Sequence, residues 1–161
     1  MKYPLTIIGI LILFTNCNRN TNLQYEAVAI DSNWTFSALG KDDFNPAIVP
    51  GSVHMDLYKN KIIEDPFYEL NEMSLQWIEE TNWEYKTTFD LDDYFLLNEN
   101  ISLNFNGLDT YADIYLNDSL ILSSNNMFRS WELDVKDLLV TDSNELRIVF
   151  ESPIPVSYTH L

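Results

Sequence analysis

Alternation of apolar and polar side chains with a period of two is the feature that most constrains this sequence. In residues 83–91 the side chains of Trp83, Tyr85 and Phe89 fall on one face of an extended segment. Turn-forming residues recur about every ten residues, which is typical of an all-β protein with a β-sandwich fold. Alternation of this kind continues through 101–105, 111–116, 120–122, 133–135 and 146–150.

The segment Gly107 to Asn117 shows the alternation most clearly. Its residues Ala112, Ile114 and Leu116 are predicted to enter the core. The opposite face carries Tyr111, Asp113 and Tyr115 and is predicted to be an outer face, in contact with water in this 161-residue chain. The turn that follows, Asn117 to Ser119, predicts a β-hairpin, since Asn and Asp tolerate the left-handed backbone that such turns need.

Two segments depart from the strand pattern and predict short helices or turns. Residues 52–60 begin with Ser52, a good N-cap residue, and residues 73–81 offer Ser74 in the same role. Between them, Pro66 lacks the N–H that regular backbone hydrogen bonding needs, so the segment from Asp65 to Glu72 is predicted to be irregular.

Charge and composition exclude several classes of function. The chain has 161 residues, 25 acidic and 9 basic, for a net charge of -16. This balance argues against binding to nucleic acid or to an anionic membrane surface. One cysteine rules out an intrachain disulfide, and the two histidines, His54 and His160, show no metal-ligand spacing, so no metal site is expected.

The N-terminus predicts export. Lys2 precedes the apolar run 5–14, which is too short to span a bilayer and has the form of a signal peptide over residues 1–16. Phe14 to Cys17 resembles the lipobox of a bacterial lipoprotein, which implies lipidation of Cys17 and a location in the periplasm or at the outer membrane. A tether over 17–24, a sandwich domain over 25–155 and a non-native tail over 156–161 complete the predicted organisation.

Several short motifs occur in a specific order that carries a family resemblance. Together they resemble the N-terminal domain of family 2 glycoside hydrolases, in the β-mannosidase branch, over Trp34 to Pro153; Asp118 replaces the usual Gly of the hairpin turn. The DPFY and QWI segments distinguish this branch from galactosidase and glucuronidase relatives. The motifs are Val49 to His54, Ile63 to Tyr68, Asn71-Glu72, Gln76 to Ile78, Trp83 to Tyr85, Phe105 to Thr110, Tyr115 to Asn117 and Asn126 to Arg129.

The resemblance implies a jelly-roll, galactose-binding-domain-like sandwich with one or two short helices. In this family catalysis is carried out by two glutamates of a (β/α) barrel that follows in the sequence, so no catalytic residue is expected in these 161 residues. The whole protein would be an exo-acting, retaining β-mannosidase that acts on mannose-containing oligosaccharides without a cofactor. A stand-alone carbohydrate-binding module and a purely structural sandwich remain as alternatives.

The resemblance also implies that the loop from Asp65 to Glu72 reaches the edge of the barrel's pocket. Asn71 is the first candidate for substrate binding and Asp65 the second. An Asn amide both donates and accepts hydrogen bonds, and could therefore bridge two sugar hydroxyls.

Other chemistry-bearing residues have structural interpretations that are favoured over functional ones. Asp109 and Asp113 could share a face as a carboxylate pair, but backbone hydrogen bonds at the strand entry are the favoured role of Asp109. Arg129 is expected to pair with an acidic residue, and His54 to make a structural hydrogen bond. Packing is favoured over sugar stacking for the three aromatic residues Trp77, Trp83 and Trp131.

Overall fold

A computed structural model describes residues 26–68 and 70–154, and within them the chain forms eight β-strands and two short α-helices. The helices are α1, Val53–Lys59, and α2, Asn71–Ser74. The strands are β1 (Thr35–Ala38), β2 (Asn45–Pro46), β3 (Trp83–Phe89), β4 (Ser102–Phe105), β5 (Tyr111–Leu116), β6 (Ser119–Ser124), β7 (Trp131–Asp134) and β8 (Asn144–Glu151). Short 3-10 turns cover Gln76–Ile78, Phe95–Leu97 and Lys136–Leu138.

The strands form two antiparallel sheets. The larger has the order β2-β1-β3-β8-β5-β6, and the smaller pairs β4 with β7. The last strand, β8, lies between β3 and β5, with Leu146 opposite Thr87 on one side and Leu116 on the other. This mostly β, sandwich-like arrangement with few helices confirms the predicted fold class.

The core is built from the inward side chains that the alternation predicted. Ala112, Ile114 and Leu116 are all buried, and Ala112 and Ile114 share one cluster with Leu146 and Ile148 of β8. Leu103 and Phe105 of β4 pack against the same cluster from the smaller sheet. Each large apolar side chain buried in this way contributes about 1.5–3 kcal/mol relative to exposure.

The predicted β5–β6 hairpin is confirmed, and an amide network anchors it. Asn117 and Asp118 have φ of 48° and 64°, as a two-residue primed turn requires. The Asn117 amide donates to the Leu138 carbonyl at 2.7 Å and to Oδ1 of Asn144 at 3.0 Å. Asn144 is fully buried, and its amide donates in turn to the Val140 carbonyl at 2.6 Å.

Helix α1 brings a buried carboxylate to the core. Gly51 precedes it, and a Cβ there would lie 2.1 Å from the Ile48 carbonyl oxygen, so only glycine fits. Asp56 is 1% exposed; its Oδ1 accepts from the Ile48 N–H and its Oδ2 from the Tyr85 hydroxyl, each at 3.0 Å. These bonds compensate the cost of burying the carboxylate and hold α1 against β3.

Of the two predicted capping residues, Ser52 is confirmed in position and Ser74 was wrong. Ser52 occupies the N-cap position of α1, but its side chain makes no capping bond. Ser74 ends α2 instead of starting a helix, and its hydroxyl donates to the Asn71 carbonyl at 2.7 Å. Burial of Leu75 and Ile78, three residues apart, fits the tight 3-10 turn that follows.

No helix within residues 26–68 and 70–154 is long and apolar enough to cross a membrane. The predicted signal peptide, the lipidation site Cys17 and the tail 156–161 lie outside the described residues.

Stability should depend on pH through Tyr85. Burial, followed by the charge and the hydrogen bond of Asp56, raises the pKa of Tyr85 well above its usual range. In the unfolded chain a tyrosine loses its proton near pH 10, so the folded state retains a proton that the unfolded state has lost above that pH. The contribution of Tyr85 is therefore complete below about pH 10 and is lost as the pH rises further.

We predict that Tyr85→Phe lowers the free energy of unfolding by about 1–3 kcal/mol at pH 7, because Oδ2 of Asp56 loses its donor. The difference from the wild type should shrink by about 1.4 kcal/mol per pH unit above pH 10. Urea denaturation between pH 7 and 11 measures both effects. Tyr94→Phe, at an exposed tyrosine, is the control and should match the wild type throughout. A Tyr85→Phe deficit that stays constant to pH 11 would contradict the assignment.

Candidate functional site

The two predicted substrate-binding residues lie together in one compact loop. Oδ1 of Asp65 accepts from the Phe67 N–H at 2.9 Å, an Asx-type turn. The Asn71 amide donates to the Asp65 backbone carbonyl at 2.8 Å and so closes the loop. The Asn71 N–H donates to the Tyr68 carbonyl at 3.1 Å, which starts α2. The irregular segment predicted from Pro66 is therefore a series of tight turns.

The loop has hydrogen-bonding atoms that its own bonds do not use. Asp65 is exposed and Asn71 is half-buried. Among the hydrogen bonds of the described residues, none uses Oδ1 of Asn71 or Oδ2 of Asp65. The amide oxygen of Asn71 and the second carboxylate oxygen of Asp65 can accept hydrogen bonds from hydroxyl groups, while the second amide hydrogen of Asn71 can donate one.

Large apolar side chains close to this polar pair in sequence are exposed, which the sequence analysis did not predict. Phe67 is 85% exposed, Leu70 74% and Met73 71%. A folded domain rarely leaves so many large apolar groups in water along one short segment. The aromatic residues of the DPFY motif, in a loop otherwise rich in acids, were the available signal in the sequence.

The three tryptophans considered as sugar-stacking candidates, among the four in the chain, differ in exposure. Trp83 is buried, and its indole N–H donates to the Ile78 carbonyl at 2.9 Å, so it is a core residue. Trp77 is 41% exposed and lies 6.0 Å from the Trp83 ring, in a tilted arrangement. The ring of Trp131 is covered by the Arg129 guanidinium at 4.2 Å. Packing therefore accounts for Trp83, and a cation–π contact covers Trp131.

The prediction that Arg129 pairs with an acidic residue was wrong. Within the described part of the chain it forms no salt bridge with an acid; the ion pair found there joins Arg147 to Glu84 at 3.4 Å. Instead, the face of the Arg129 guanidinium stacks on the ring of Trp131. His54 is likewise exposed on α1, and the described residues show no hydrogen bond to its side chain.

Side chains on the outer face of β5 find their partners on neighbouring strands of the same sheet. The Arg147 guanidinium lies 4.0 Å from the Tyr115 ring, and the Ser123 hydroxyl donates to Oδ1 of Asp113 at 2.5 Å. Asp109 lies in the connection before β5, where it accepts from the Thr110 hydroxyl and not from the expected backbone N–H groups. Both acids of the candidate carboxylate pair therefore have local hydroxyl partners.

Carboxylates also gather around an open depression of about 390 Å³ beside the 3-10 turn at Phe95. Within the described residues, no group of His, Cys, Asp and Glu side chains has an arrangement that could hold a metal ion. The depression is lined by Glu26, Asp90, Asp92, Asp93 and Asp142, among others.

Known proteins with similar sequences and structures share this domain. The chain is 38% identical over 128 residues to a protein named β-mannosidase B from Thermothelomyces thermophilus, which covers 78% of this chain. It superposes with a TM-score of 0.82 and 41% identity on the crystal structure of β-D-mannosidase from Dictyoglomus thermophilum, over 84% of this chain. β-D-glucuronidase from the same organism aligns with a TM-score of 0.58 but only 17% identity, which indicates a shared fold alone.

This chain spans only a small part of these relatives, 15% of the Thermothelomyces protein and 17% of the Dictyoglomus mannosidase. The sequence profile of the family described as glycosyl hydrolase 2 galactose-binding domain-like matches residues 34–159, which include every strand of both sheets. The chain therefore belongs to the glycosyl hydrolase 2 galactose-binding domain-like family.

Proposed function

We propose that this chain is the N-terminal domain of an exo-acting β-mannosidase that removes terminal β-linked mannose with retention of configuration. The observation that carries the proposal is the contrast in similarity between two enzymes of one organism. The β-D-mannosidase of Dictyoglomus thermophilum is 41% identical with a TM-score of 0.82, whereas its β-D-glucuronidase is 17% identical with a TM-score of 0.58.

Hydrolysis itself is assigned to a downstream (β/α) barrel. Retaining glycosidases need two carboxyl groups about 5–5.5 Å apart, beside a buried sugar, and no cofactor. Asp109 and Asp113, the candidate carboxylate pair in this chain, accept hydrogen bonds from neighbouring hydroxyl groups. The relatives are about six times longer than the matched region, which leaves ample length for such a barrel.

We predict that the complete protein hydrolyses nitrophenyl β-mannoside, with the corresponding β-glucuronide and β-galactoside cleaved at least a hundredfold more slowly. Release of nitrophenol measures each kcat/KM. Residues 1–161 alone should show no turnover above background. Turnover by this chain alone would contradict the proposal, and so would a preference for the glucuronide. Titration of the chain with mannobiose tests the alternative of a stand-alone binding module, which predicts saturable binding without the barrel.

The polar loop would contribute to substrate binding at the edge of the barrel's pocket. In the complete protein, Asn71→Ala should lower kcat/KM on a β-mannoside about tenfold, the equivalent of one lost hydrogen bond to the transition state. Asn98→Ala is a matched control, because the Asn98 amide also donates to a backbone carbonyl, that of Phe95 at 2.7 Å, in an exposed loop. Equal kcat/KM for the two variants would contradict a role of Asn71, and with it Asp65, in substrate binding.

Export as a lipoprotein is part of the same proposal. The apolar run 5–14 and Cys17 support processing before Cys17 and acylation of its sulfur, with the enzyme then anchored in the periplasm or at the outer membrane. Cys17→Ser should move the protein from the membrane fraction to the soluble fraction of Gram-negative cells, as followed by immunoblotting. Wild-type protein found wholly in the soluble fraction would contradict the anchor.

A further inference from the structure

The connection between β4 and β5 contains a dipeptide whose two residues can react with each other. Of the four glycines in the chain, only Gly107 follows an asparagine, Asn106. The side chain of an asparagine carries an electrophilic amide carbon, and the backbone nitrogen of the next residue is the nearest nucleophile along the chain. When that next residue is glycine, no Cβ hinders the approach of the two atoms. Deamidation therefore meets the least steric hindrance at Asn106.

The structure leaves both reacting groups accessible. Asn106 and Gly107 are exposed and lie directly after β4, outside any strand. In the part of the chain that the structure describes, no hydrogen bond involves the side chain of Asn106 or the N–H of Gly107. The backbone carbonyl of Asn106 accepts one long bond, from the Ser130 hydroxyl at 3.4 Å. Ring closure between the two residues would therefore break no bond of a strand ladder and none of the amide side chain.

Two other exposed asparagines, Asn98 and Asn126, differ from Asn106 in both respects. The Asn98 amide donates to a backbone carbonyl at 2.7 Å, and the Asn126 amide oxygen accepts from a backbone N–H at 2.9 Å. Each is followed by a residue with a long side chain, Glu99 and Met127 respectively. The hydrogen bond restricts rotation of the amide, and the following side chain limits the conformations in which the nitrogen can approach it.

We propose that Asn106 deamidates spontaneously in the folded protein, through a cyclic imide formed with Gly107. The Gly107 nitrogen attacks Cγ of Asn106 and forms a new N–C bond. The bond from Cγ to the side-chain nitrogen breaks, and ammonia leaves with the proton that the Gly107 nitrogen has lost. Water then opens the ring at one of its two carbonyl carbons, which gives aspartate or, when the backbone continues through Cβ and Cγ, isoaspartate. The net reaction consumes one water and releases one ammonia.

Either product changes the connection between the two sheets. A carboxylate replaces a neutral amide three residues before Asp109, in a chain whose net charge is already -16. Isoaspartate also adds one atom to the backbone between Phe105, which pairs with Trp131 in the smaller sheet, and Leu108, which is 5% exposed. Because packing fixes both ends of this short span, the added atom has to be accommodated within the exposed connection itself.

Gly107→Ala is the informative variant, because the fold has room for it. The φ of Gly107 lies outside the left-handed region, and a Cβ there would lie 3.4 Å from the Met127 carbonyl oxygen, which is an ordinary contact. The added methyl group should nevertheless hinder ring closure and slow deamidation at least about tenfold. Asn106→Ser removes the reacting amide and should abolish the reaction at this position.

The test is to incubate the complete protein at neutral and at mildly alkaline pH and to follow residue 106 by peptide mapping. Mass spectrometry detects the change from amide to acid, and fragmentation of the peptide distinguishes isoaspartate from aspartate. Conversion of Asn106 should be faster at alkaline pH, because the attacking nitrogen has to lose its proton. Asn98 and Asn126 in the same sample are the internal controls and should remain amides.

The same protein unfolded in guanidinium chloride gives the reference rate for an unconstrained chain. The folded wild type should convert no more than about tenfold more slowly than this reference, because the exposed connection can react without unfolding of the sheets. An amide that persists at residue 106 in the folded protein while the unfolded chain converts would overturn the inference. So would equal rates for the wild type and Gly107→Ala. Neither result depends on whether the complete protein hydrolyses β-mannosides.

Discussion

The central position of β8 is the constraint on which the rest of the structure depends. This strand pairs with β3 along Trp83 to Phe89 and with β5 along Tyr111 to Leu116. Because β8 is the last strand described, its pairing with β3 and β5 completes the large sheet through long-range contacts. The chain must lose the entropy of closing these long loops before the contacts can stabilise the fold. The same placement brings Ser152 beside Glu79, so the topology also decides where the following polypeptide emerges.

Two buried polar groups give the apolar core a definite geometry. Asp56 joins the entry to α1 with the hydroxyl of Tyr85 on β3, and Asn144 joins the β5–β6 hairpin with the start of β8. Apolar contacts alone would tolerate small shifts of these elements, whereas a buried polar group without its partner costs about 1–3 kcal/mol. The edge that bears the proposed site is supported from the same core, through Leu75 and Ile78.

Sequence patterns identified the elements whose residues follow one periodicity. The strands β3 and β5 alternate along their length, β8 alternates from Asn144 to Ile148, and all three were predicted, as was the turn at Asn117 and Asp118. Strand β1 was missed because adjacent Phe36 and Ser37 are both buried, which removes the alternation, and β2 has only two residues. Ser74 and Arg129 were assigned wrong partners because hydroxyl and guanidinium groups have several possible partners at similar cost.

By itself, the sequence determined the sandwich, its inward-facing residues and the polar loop containing Asp65 and Asn71, because periodicity and turn chemistry are local properties. Only the tertiary structure decided that the Asn71 amide closes onto the Asp65 carbonyl. It also decided that Phe67, Leu70 and Met73 remain in water while Leu75 and Ile78 turn inward. The physical reason is that exposure depends on which surfaces distant strands leave uncovered, and the local order of apolar residues does not contain that information.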